Sequence, residues 1–366
     1  MESSMKILIT TNDITIGGGV ERVVCNLANT FDESGFDVEI LSFYHKNDKC
    51  PYTLNPNIVL SFFPNTLNVH TKHPLKRLFN KTIYRFFVAY KMKQMFKDKD
   101  IILYNCYFFP YFKNKNTRYF KIHHQVFKRS WTYKNKLFDS NIILTSKQLA
   151  LWQSKIKNVQ IIPNFLMQIP NKNADLSQKI VLSIGRMSKG DEKRFTSLIE
   201  IWRLIQQDKS FQEWQLHIVG EGEGKQELEQ RICKQNLQDS IILKPFTKEI
   251  EKEYLNASIY AMTSKYEGLP TVLLEASSYG IPCISFDILT GPSDIIEDGK
   301  SGFLVADNDL SAYATKLKLL MHDETLRQTF GKRAKEIAKE KFSKEKIMQQ
   351  WDALFYNGIV NCDSTL

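Results

Sequence analysis

Residues 259–280 read IYAMTSKYEGLPTVLLEASSYG, and they decide the fold expected for the second half of the chain. The apolar run at 259–263 predicts a buried strand, and Thr271–Ser278 predicts a short helix that Gly280 ends. Pro270 has a preset φ and no amide proton, so it suits the first helical position. The stretch is therefore a strand, a loop and a helix, which is the repeating unit of an α/β fold.

Two carboxylates flank the start of this helix. Glu267 lies in the loop before it, and Glu275 lies about one turn in, on the face that Thr271 shares. Both can face one space near the positive end of the helix, where unpaired backbone amides favour an anion such as phosphate. Acids are also common stabilising residues at a helix start, so the pair alone leaves both interpretations open.

Strands and helices alternate through the rest of the second half, and this order predicts a parallel sheet covered by helices on both faces. The expected elements are Ile180–Ile184, Phe195–Gln206, Gln215–Val219, 225–235, 241–243 and 250–256. A segment rich in Asn, Pro, Asp and Ser at 167–178 predicts a linker between two domains. The first half shows further strand patterns, at 6–11, 37–43, 119–124, 141–146 and 159–164.

The composition is that of a globular chain long enough for two domains: 366 residues, 43% hydrophobic and 25% charged. No apolar run reaches the length of a membrane span, and the N-terminus lacks the apolar core and cleavage site of a signal peptide. These features predict a cytosolic protein. The six cysteines follow no metal-ligand spacing, so neither a zinc site nor a disulfide framework is expected.

Basic residues are concentrated in the first half. Residues 1–170 hold 24 Lys and Arg against 11 Asp and Glu, whereas residues 171–366 hold 26 against 29. Within the first half, residues 71–140 carry 17 basic and 3 acidic side chains, interleaved with aromatic residues. Such a surface attracts an anionic partner, whether a lipid surface, a phosphorylated acceptor or nucleic acid.

Residues 73–97 repeat apolar side chains at helical spacing, with lysine and arginine on the opposite face. The repeated positions are Leu75, Phe79, Ile83, Phe86, Phe87 and Tyr90. The pattern predicts one helix that packs its apolar face on the sheet and leaves its basic face in water. A helix lying on a membrane surface fits the same pattern, and both can hold in part.

Two short motifs of the first half bear on metals and on catalysis. The Asp-Lys-Asp at 98–100 resembles the DxD with which some sugar transferases hold a divalent metal, but its place between a helix and a strand predicts a turn. His123 and His124 end the predicted strand at 119–124. Because ligands bind at the carboxyl ends of parallel strands, this pair is a candidate site.

Distinctive loops follow several strands. In the first half, Gly17–Gly19 separate a strand from a helical pattern. The loops of the second half contain Gly185-Arg186 with Lys193, Gly220 to Gly224, Tyr266 to Pro270, and Thr290 to Asp294. Loops at the carboxyl ends of parallel strands lie along one crevice. Arginine clamps phosphate oxygens, lysine supplies a point charge and a carboxylate accepts ribose hydroxyls, so the set predicts a site for a nucleotide diphosphate.

Together these residues resemble the retaining glycosyltransferases of family 4, which have two Rossmann-like domains facing a central cleft, the GT-B architecture. The resemblance rests on GGGVER at 17–22, IPN at 162–164, SIGR at 183–186, IVGEGEGKQEL at 218–228, the Glu-x7-Glu element and GPSDIIEDGKSGFLV at 291–305. The pattern is similar to that of bacterial enzymes that build lipopolysaccharide, capsule or lipid-linked glycans.

The resemblance implies a doubly wound α/β fold with an acceptor-binding domain at 1–168 and a nucleotide-sugar-binding domain at 178–343. A C-terminal helix at about 344–362 would cross back to the first domain. Arg186 and Lys193 would hold the donor diphosphate and stabilise its charge as it leaves. The spacing between these two residues is two longer than the usual form, so Lys189 is a competing phosphate ligand.

Further roles follow from the same resemblance. Glu267 would contact the transferred hexose, Glu275 the ribose hydroxyls, and His123, preferred to His124, the sugar near its anomeric carbon. The other donor-binding residues would be Gly18, Gly19, Gly220, Glu221, Gly268, Leu269, Pro270 and Thr271.

The implied reaction moves a hexose or N-acetylhexosamine from a nucleotide diphosphate sugar, with UDP the expected nucleotide, to a glycan or glycolipid of bacterial surface polysaccharide synthesis. Configuration at the anomeric carbon would be retained, because the leaving diphosphate oxygen takes the acceptor's proton on the same face. Stabilisation of the leaving group and orientation would supply the catalysis, with no metal or other cofactor.

Two other readings stay open. An epimerase of nucleotide sugars or a phosphorylase could use the same architecture, because a fold does not fix its chemistry. A non-catalytic module that binds membranes or nucleic acid would use the basic residues at 72–136. We expect an anionic membrane, at the inner face of the cytoplasmic membrane, rather than nucleic acid, because no motif of a nucleic-acid reader is present and the glutamates would be left unexplained.

Overall fold

The computed structural model describes residues 4–64 and 73–356. Its contacts divide the chain into two compact units. The first comprises Met1–Leu144 and Leu149–Ile161, and the second Thr145–Gln148 and Ile162–Leu366. The domain limits of 1–168 and 178–343 stay predictions, as does the return of the last helix to the first domain.

The first unit contains a parallel sheet of seven strands. The strands are β1 Lys6–Asp13, β2 Asp37–Tyr44, β3 Val59–Phe62, β4 Ile101–Asn105, β5 Arg118–His123, β6 Ser140–Ile143 and β7 Val159–Ile161. The helices are α1 Gly19–Glu33, α2 Pro74–Lys81, α3 Ile83–Met95, α4 Phe127–Ser130 and α5 Leu149–Gln153. The strand order is β3-β2-β1-β4-β5-β6-β7.

The second unit contains a parallel sheet of six strands. The strands are β8 Ile180–Ile184, β9 Gln215–Val219, β10 Ile241–Lys244, β11 Ile259–Met262, β12 Cys283–Phe286 and β13 Gly302–Val305. The helices are α6 Phe195–Gln206, α7 Lys225–Lys234, α8 Ile250–Leu255, α9 Thr271–Ser278, α10 Pro292–Ile295, α11 Leu310–His322, α12 Glu324–Phe342 and α13 Lys344–Tyr356. The strand order is β10-β9-β8-β11-β12-β13.

Both sheets have the order of a doubly wound α/β fold, and the predicted fold class is confirmed. In each sheet the order reverses beside the first strand, between β1 and β4 and between β8 and β11. Central strands such as β4 and β11 are buried along their whole length, which explains their continuous apolar sequence. The reversal points are the positions at which ligands bind in such sheets.

Helix α9 begins and ends close to the predicted residues. Pro270 has φ −73° and ψ 99°, an extended conformation, so it precedes the helix as its N-cap and Thr271 is the first helical residue. Placing Pro270 inside the helix is therefore wrong by one position. Gly280 has φ +75°, the left-handed conformation of a helix C-terminus, and the N–H of Ile281 donates to the carbonyl of Ala276 at 3.2 Å.

The single helix expected at 73–97 is two helices, α2 and α3, interrupted at Thr82, whose φ and ψ are −115° and −90°. The expected packing of its apolar stripe is also wrong. All six repeated apolar positions are exposed, by 46% to 71%: Leu75, Phe79, Ile83, Phe86, Phe87 and Tyr90. Helix α3 instead buries Tyr84, Val88, Ala89 and Met92. The first unit therefore exposes a face rich in apolar and aromatic side chains.

The Asp-Lys-Asp at 98–100 ties the start of β4 to neighbouring strands. The backbone N–H of Lys6 donates to Asp100 Oδ2 at 2.7 Å, and Lys99 Nζ lies 2.9 Å from Glu39 Oε2. Within residues 4–64 and 73–356, no cluster of three His, Cys, Asp or Glu side chains could hold a metal ion. The segment behaves as the turn that the sequence predicts.

Candidate functional site

Three loops of the second unit meet at the carboxyl ends of β8, β9 and β11. The N–H of Met187, after β8, donates to the carbonyl of Glu221, after β9, at 2.8 Å. On the other side, the N–H of Lys265 donates to the carbonyl of Glu192 at 2.8 Å, and Thr263 Oγ1 donates to the carbonyl of Lys193 at 2.9 Å. The loop after β8 is therefore fixed between the other two.

The glycines of the loop after β9 allow this close contact. A Cβ atom on Gly220 would lie 2.0 Å from the carbonyl oxygen of Gly185, and one on Gly222 would lie 2.2 Å from that of Met187. Both glycines also have positive φ, +152° and +148°. The alternating glycines are thus required by backbone packing between two loops. The Glu221 side chain between them is exposed.

Lys193 and Glu267, both predicted to contact the donor, form an ion pair. Lys193 Nζ lies 2.5 Å from Glu267 Oε1, and the two side chains are 25% and 14% exposed. A Cβ atom on Gly185 would lie 2.9 Å from Lys193 Cγ, so glycine at this position leaves room for the lysine side chain. Thr290 Oγ1 donates to the backbone carbonyl of Glu267 and holds the loop. The structure thus brings together a cation and a carboxylate 74 residues apart.

Arg186 and Lys189 are exposed cations in the same loop. Among the described residues, neither side chain has a hydrogen bond or an ion pair. Lys193, by contrast, already contacts a carboxylate. Three cations therefore surround this edge of the sheet, and the choice between Lys189 and Lys193 as phosphate ligand stays open.

Glu275 is held by a residue that the sequence did not reveal. The hydroxyl of Tyr254, on α8, donates to Glu275 Oε2 at 2.8 Å. Tyr254 is 1% exposed and stacks on Tyr279, with ring centroids 5.2 Å apart. An aromatic residue at helical spacing is indistinguishable from ordinary core in a sequence, so no local signal identifies this contact.

The amides of Gly268 and Leu269 precede α9, next to the start of α10. A Cβ atom on Gly291, the N-cap of α10, would lie 2.4 Å from Pro270 Cδ, and Gly291 has φ +98°. The Leu269 side chain is buried at 5% exposure, so only its backbone can contact a ligand. Thr271, at the first turn of α9, is partly exposed. The N-terminus of α9 thus lies beside the Lys193–Glu267 pair.

In the first unit, the two candidate histidines differ in exposure. His123 is 4% exposed, its Nε2 lies 2.9 Å from Asn141 Oδ1, and its ring lies 4.2 Å from that of Trp152. His124 is partly exposed, and its Nε2 lies 2.6 Å from Asn105 Oδ1. Burial lowers the pKa of both imidazoles to about 3, so both are neutral at neutral pH. The preference for His123 stays untested, but its contacts are those of a core residue.

Gly18 and Gly19 lie at the start of α1. A Cβ atom on Gly18 would lie 2.3 Å from Glu21 Oε2, so the Glu21 carboxylate reaches back over the N-terminus of this helix. The Tyr52 hydroxyl donates to the carbonyl of Gly18 at 2.9 Å. Burial raises the pKa of Glu21. The contact of Gly18 and Gly19 with a donor stays a prediction.

Known proteins share sequence with the part of the chain that carries this site. A family model described as "Glycosyl transferases group 1" matches residues 167–337, which include the second-unit residues of the site. An uncharacterized glycosyltransferase of Haemophilus influenzae is 26% identical over 93% of this chain and 97% of its own length. A lipopolysaccharide 1,6-galactosyltransferase of Salmonella typhimurium is 22% identical over 87% of this chain and 90% of its own length.

This chain is a glycosyltransferase. Among solved structures, a TarM mutant of S. aureus in complex with fondaparinux, alpha-GlcNAc-glycerol and UDP superimposes with a TM-score of 0.77. It is 20% identical, and the match covers 96% of this chain and all of the other. At that identity the likeness shows the GT-B fold. The Salmonella relative is by its name a lipopolysaccharide galactosyltransferase, an enzyme of the kind that the sequence resemblance implied.

The glycosyltransferase has no helix, within residues 4–64 and 73–356, that is both long and apolar enough to cross a membrane. The candidate donor-site residues of the second unit all lie in short sequence motifs.

Proposed function

We propose that this glycosyltransferase moves a hexose or N-acetylhexosamine from a UDP-sugar to a glycan or glycolipid acceptor, with retention at the anomeric carbon. One observation carries the proposal: the Lys193–Glu267 ion pair lies beside the N-terminus of α9, with Arg186 exposed in the same loop. This set offers cations and amides to a diphosphate and a carboxylate to sugar hydroxyls.

Donor binding would exchange the partners of this ion pair. A diphosphate near α9 competes with Glu267 for the Lys193 ammonium, and the released carboxylate can then accept hydrogen bonds from the hexose. Arg186 would clamp the phosphate oxygens, with Lys189 as a further cation. Glu275 would accept the ribose hydroxyls, and the amides of Gly268 and Leu269 would contact the sugar. UDP is the proposed nucleotide, and the presence of UDP in the similar TarM complex supports it.

The proposed reaction breaks the bond between the anomeric carbon and the diphosphate oxygen. Negative charge grows on that oxygen, and Arg186 and Lys193 stabilise it. The same oxygen then takes the proton of the acceptor hydroxyl, so the new bond forms on the face that the diphosphate leaves. No metal or other cofactor is part of this proposal, since these side chains can neutralise the diphosphate.

His124 is the proposed first-unit residue near the reacting sugar, in place of His123. It is partly exposed at the carboxyl end of β5, whereas His123 is enclosed by Asn141 and Trp152. A neutral imidazole can donate to or accept from a sugar hydroxyl without adding charge. Comparing His124→Ala with His123→Ala for transfer rate and thermal stability tests this choice, since a core residue should affect mainly stability.

Peripheral binding to the anionic inner face of the cytoplasmic membrane is proposed for the first unit. The exposed apolar stripe of α2 and α3 is accompanied by basic residues such as Lys76 and Lys91. Apolar side chains can enter the headgroup region while lysines contact anionic lipids. A lipid-linked acceptor would then be presented at the same surface.

The proposed activity is tested by incubating the enzyme with a panel of UDP-sugars and lipid-linked or lipopolysaccharide acceptors and measuring acceptor-dependent release of UDP. Glu267→Gln should abolish that release while leaving the protein folded. A changed donor sugar without any acceptor would indicate an epimerase instead. Transfer by Glu267→Gln at the wild-type rate would refute the assignment of the site.

A further inference from the structure

Buried hydrogen-bond donors without acceptors cluster at the carboxyl ends of β1 and β4 in the first unit. Thr11 and Asn105 are register partners on these adjacent strands, so their side chains share one face of the sheet. They are 0% and 4% exposed, yet Thr11 Oγ1 and Asn105 Nδ2 have no hydrogen-bond partner in the described part of the chain. Buried polar groups in native proteins are nearly always paired, so orphan donors point to a missing acceptor.

Two cations lie near the same strand end. Lys121 Nζ donates to the backbone carbonyl of Cys106, the residue that follows β4. Arg85, on α3, has a buried Nε that finds no hydrogen-bond partner among the described residues. Lys121 is the register partner of Tyr104, so its side chain lies on the face of the sheet opposite to Asn105. Within residues 4–64 and 73–356, neither Lys121 nor Arg85 forms an ion pair. Tyr84 and Val88, which flank Arg85 on α3, pack in the same core cluster as Cys106.

The charges of these two side chains confirm their neighbourhood. Burial raises the pKa of the Cys106 thiol, while Lys121 and Arg85 both act to lower it. Burial also lowers the pKa of Lys121. A partly buried cation without an anion carries a desolvation cost, and so does the unpaired buried Nε of Arg85. A ligand with several anionic oxygens would satisfy both.

We propose that an anionic group of the acceptor, a phosphate mono- or diester, binds at the end of β4, where Lys121 and Arg85 donate to its oxygens. Asn105 and Thr11 lie on the other face of this strand end, where His124 Nε2 lies 2.6 Å from Asn105 Oδ1. The inference rests on the proposed transferase activity only in naming the ligand as part of the acceptor. A phosphorylated polyol and a lipid phosphate share this chemistry.

Calorimetric titration with glycerol 3-phosphate, in the absence of any donor, tests the site directly. Lys121→Met and Arg85→Met should each weaken binding by about tenfold or more, since hydrogen bonds to charged groups are lost. Lys134→Met is the charge-matched control. Its ammonium lies over the rings of Phe109 and Tyr111, and its loss should change affinity by less than about twofold.

A second arm separates the two sources of phosphate. If glycerol 3-phosphate binds with the expected dependence on Lys121, the site takes a soluble phosphate. If only phosphatidylglycerol vesicles bind in a Lys121-dependent way, the site takes a lipid phosphate. The proposal would be overturned if Lys121→Met, Arg85→Met and Lys134→Met lost the same amount of affinity. It would also be overturned if binding depended on neither Lys121 nor Arg85 in either arm. Thermal stability of Lys121→Met should be unchanged or higher, because it removes a partly buried charge that has no ion-pair partner among the described residues. Both arms measure binding without catalysis. An inactive transferase could therefore still show the expected phosphate binding, and the two proposals can fail separately.

Tyr254 carries a second and independent inference. Its hydroxyl donates to Glu275 Oε2 at 2.8 Å, while its ring is fixed between Tyr260 and the stacked Tyr279. We infer that Tyr254 is a positioning residue that sets the orientation of the Glu275 carboxylate toward the ribose. This inference rests on the proposed role of Glu275.

The affinity ratio for UDP over dUDP reports that role, since dUDP lacks one of the two ribose hydroxyls. Tyr254→Phe should reduce the wild-type ratio by about fivefold or more, because it removes a hydrogen bond that orients the carboxylate. Tyr279→Phe is the matched control: among the described residues its hydroxyl has no hydrogen bond, and its loss should leave the ratio unchanged. If Glu275→Gln collapses the ratio and Tyr254→Phe does not, Tyr254 has no positioning role. If Glu275→Gln also leaves the ratio unchanged, the ribose assignment itself is wrong.

Discussion

Lys193 pairs with Glu267 in the structure, whereas the proposed mechanism requires its ammonium on the donor diphosphate. We expect Lys193→Met to lower kcat/KM by about 10²–10³, the usual loss when a group that stabilises transition-state charge is removed. Lys189→Met removes the same charge from an exposed position, where water screens it, and should cost much less. Steady-state kinetics with saturating acceptor measures both. A larger loss in Lys189→Met would reverse the assignment.

The buried His123 makes stability depend on pH. Burial lowers its pKa to about 3, below the unfolded value of about 6.5, so the folded state disfavours the protonated form. Between these pKa values the unfolded chain binds the extra proton, and stability must therefore fall as pH falls from about 6.5 toward 3. One such group contributes at most about 1.4 kcal/mol per pH unit.

His123→Gln removes this titration while keeping a polar group near Asn141. We expect its free energy of unfolding to decline less steeply than that of the wild type over the acidic range. Urea unfolding at several pH values measures the two slopes. Identical slopes would mean that His123 is accessible to protons in the folded state.

The sequence predicted the site residues that short motifs carry, and missed those that the fold brings in from elsewhere. Glu267, Lys193 and Arg186 were named because their loops follow predicted strands. Tyr254 and Asn105 reach their partners only through strand order and helix packing, which no local pattern encodes. Contacts over such separations are properties of the fold.

At the scale of elements, the loop after β9 depends on its glycines for backbone contact. We expect Gly222→Ala to destabilise the second unit by about 1–3 kcal/mol, because a Cβ atom there meets the carbonyl of Met187 and the backbone is strained. Gly17→Ala, with nothing within 4 Å of the added atom, is the control and should change stability by less than about 0.5 kcal/mol. Thermal unfolding compares them, and equal stabilities would contradict the packing argument.

The prediction from the sequence differs most from the structure at helices α2 and α3. Helical periodicity correctly indicated helix, but it could not show the break at Thr82 or which face the core covers. Strands and helices with clear flanking turns, such as β8 and α6, match their predicted bounds. An amphipathic pattern shows that a helix has an apolar face, but it does not show what covers that face.

The exposed face of α3 should bind anionic membranes. Phe86→Ser combined with Tyr90→Ser removes two exposed aromatic side chains, so we expect several-fold weaker binding to phosphatidylglycerol vesicles, measured by co-sedimentation. Val59→Ser, an exposed apolar position on β3, is the control. Unchanged binding of the double variant, with the control also unchanged, would contradict the membrane proposal.

At the scale of the whole molecule, the first half of the chain carries the basic excess and the second half is slightly acidic. The proposed donor cations belong to the second unit. UDP should bind only the folded second unit, so at about 100 times its Kd it should stabilise that unit by about 2.7 kcal/mol. A thermal transition that UDP leaves unmoved would contradict donor binding there.

The most direct test of the central claim is the anomeric configuration of the product, read by NMR after transfer from an α-linked UDP-sugar. Proton transfer to the departing diphosphate on one face requires an α-linked product. A β-linked product would show attack from the opposite face and contradict the proposed transfer of the acceptor proton to the departing diphosphate oxygen.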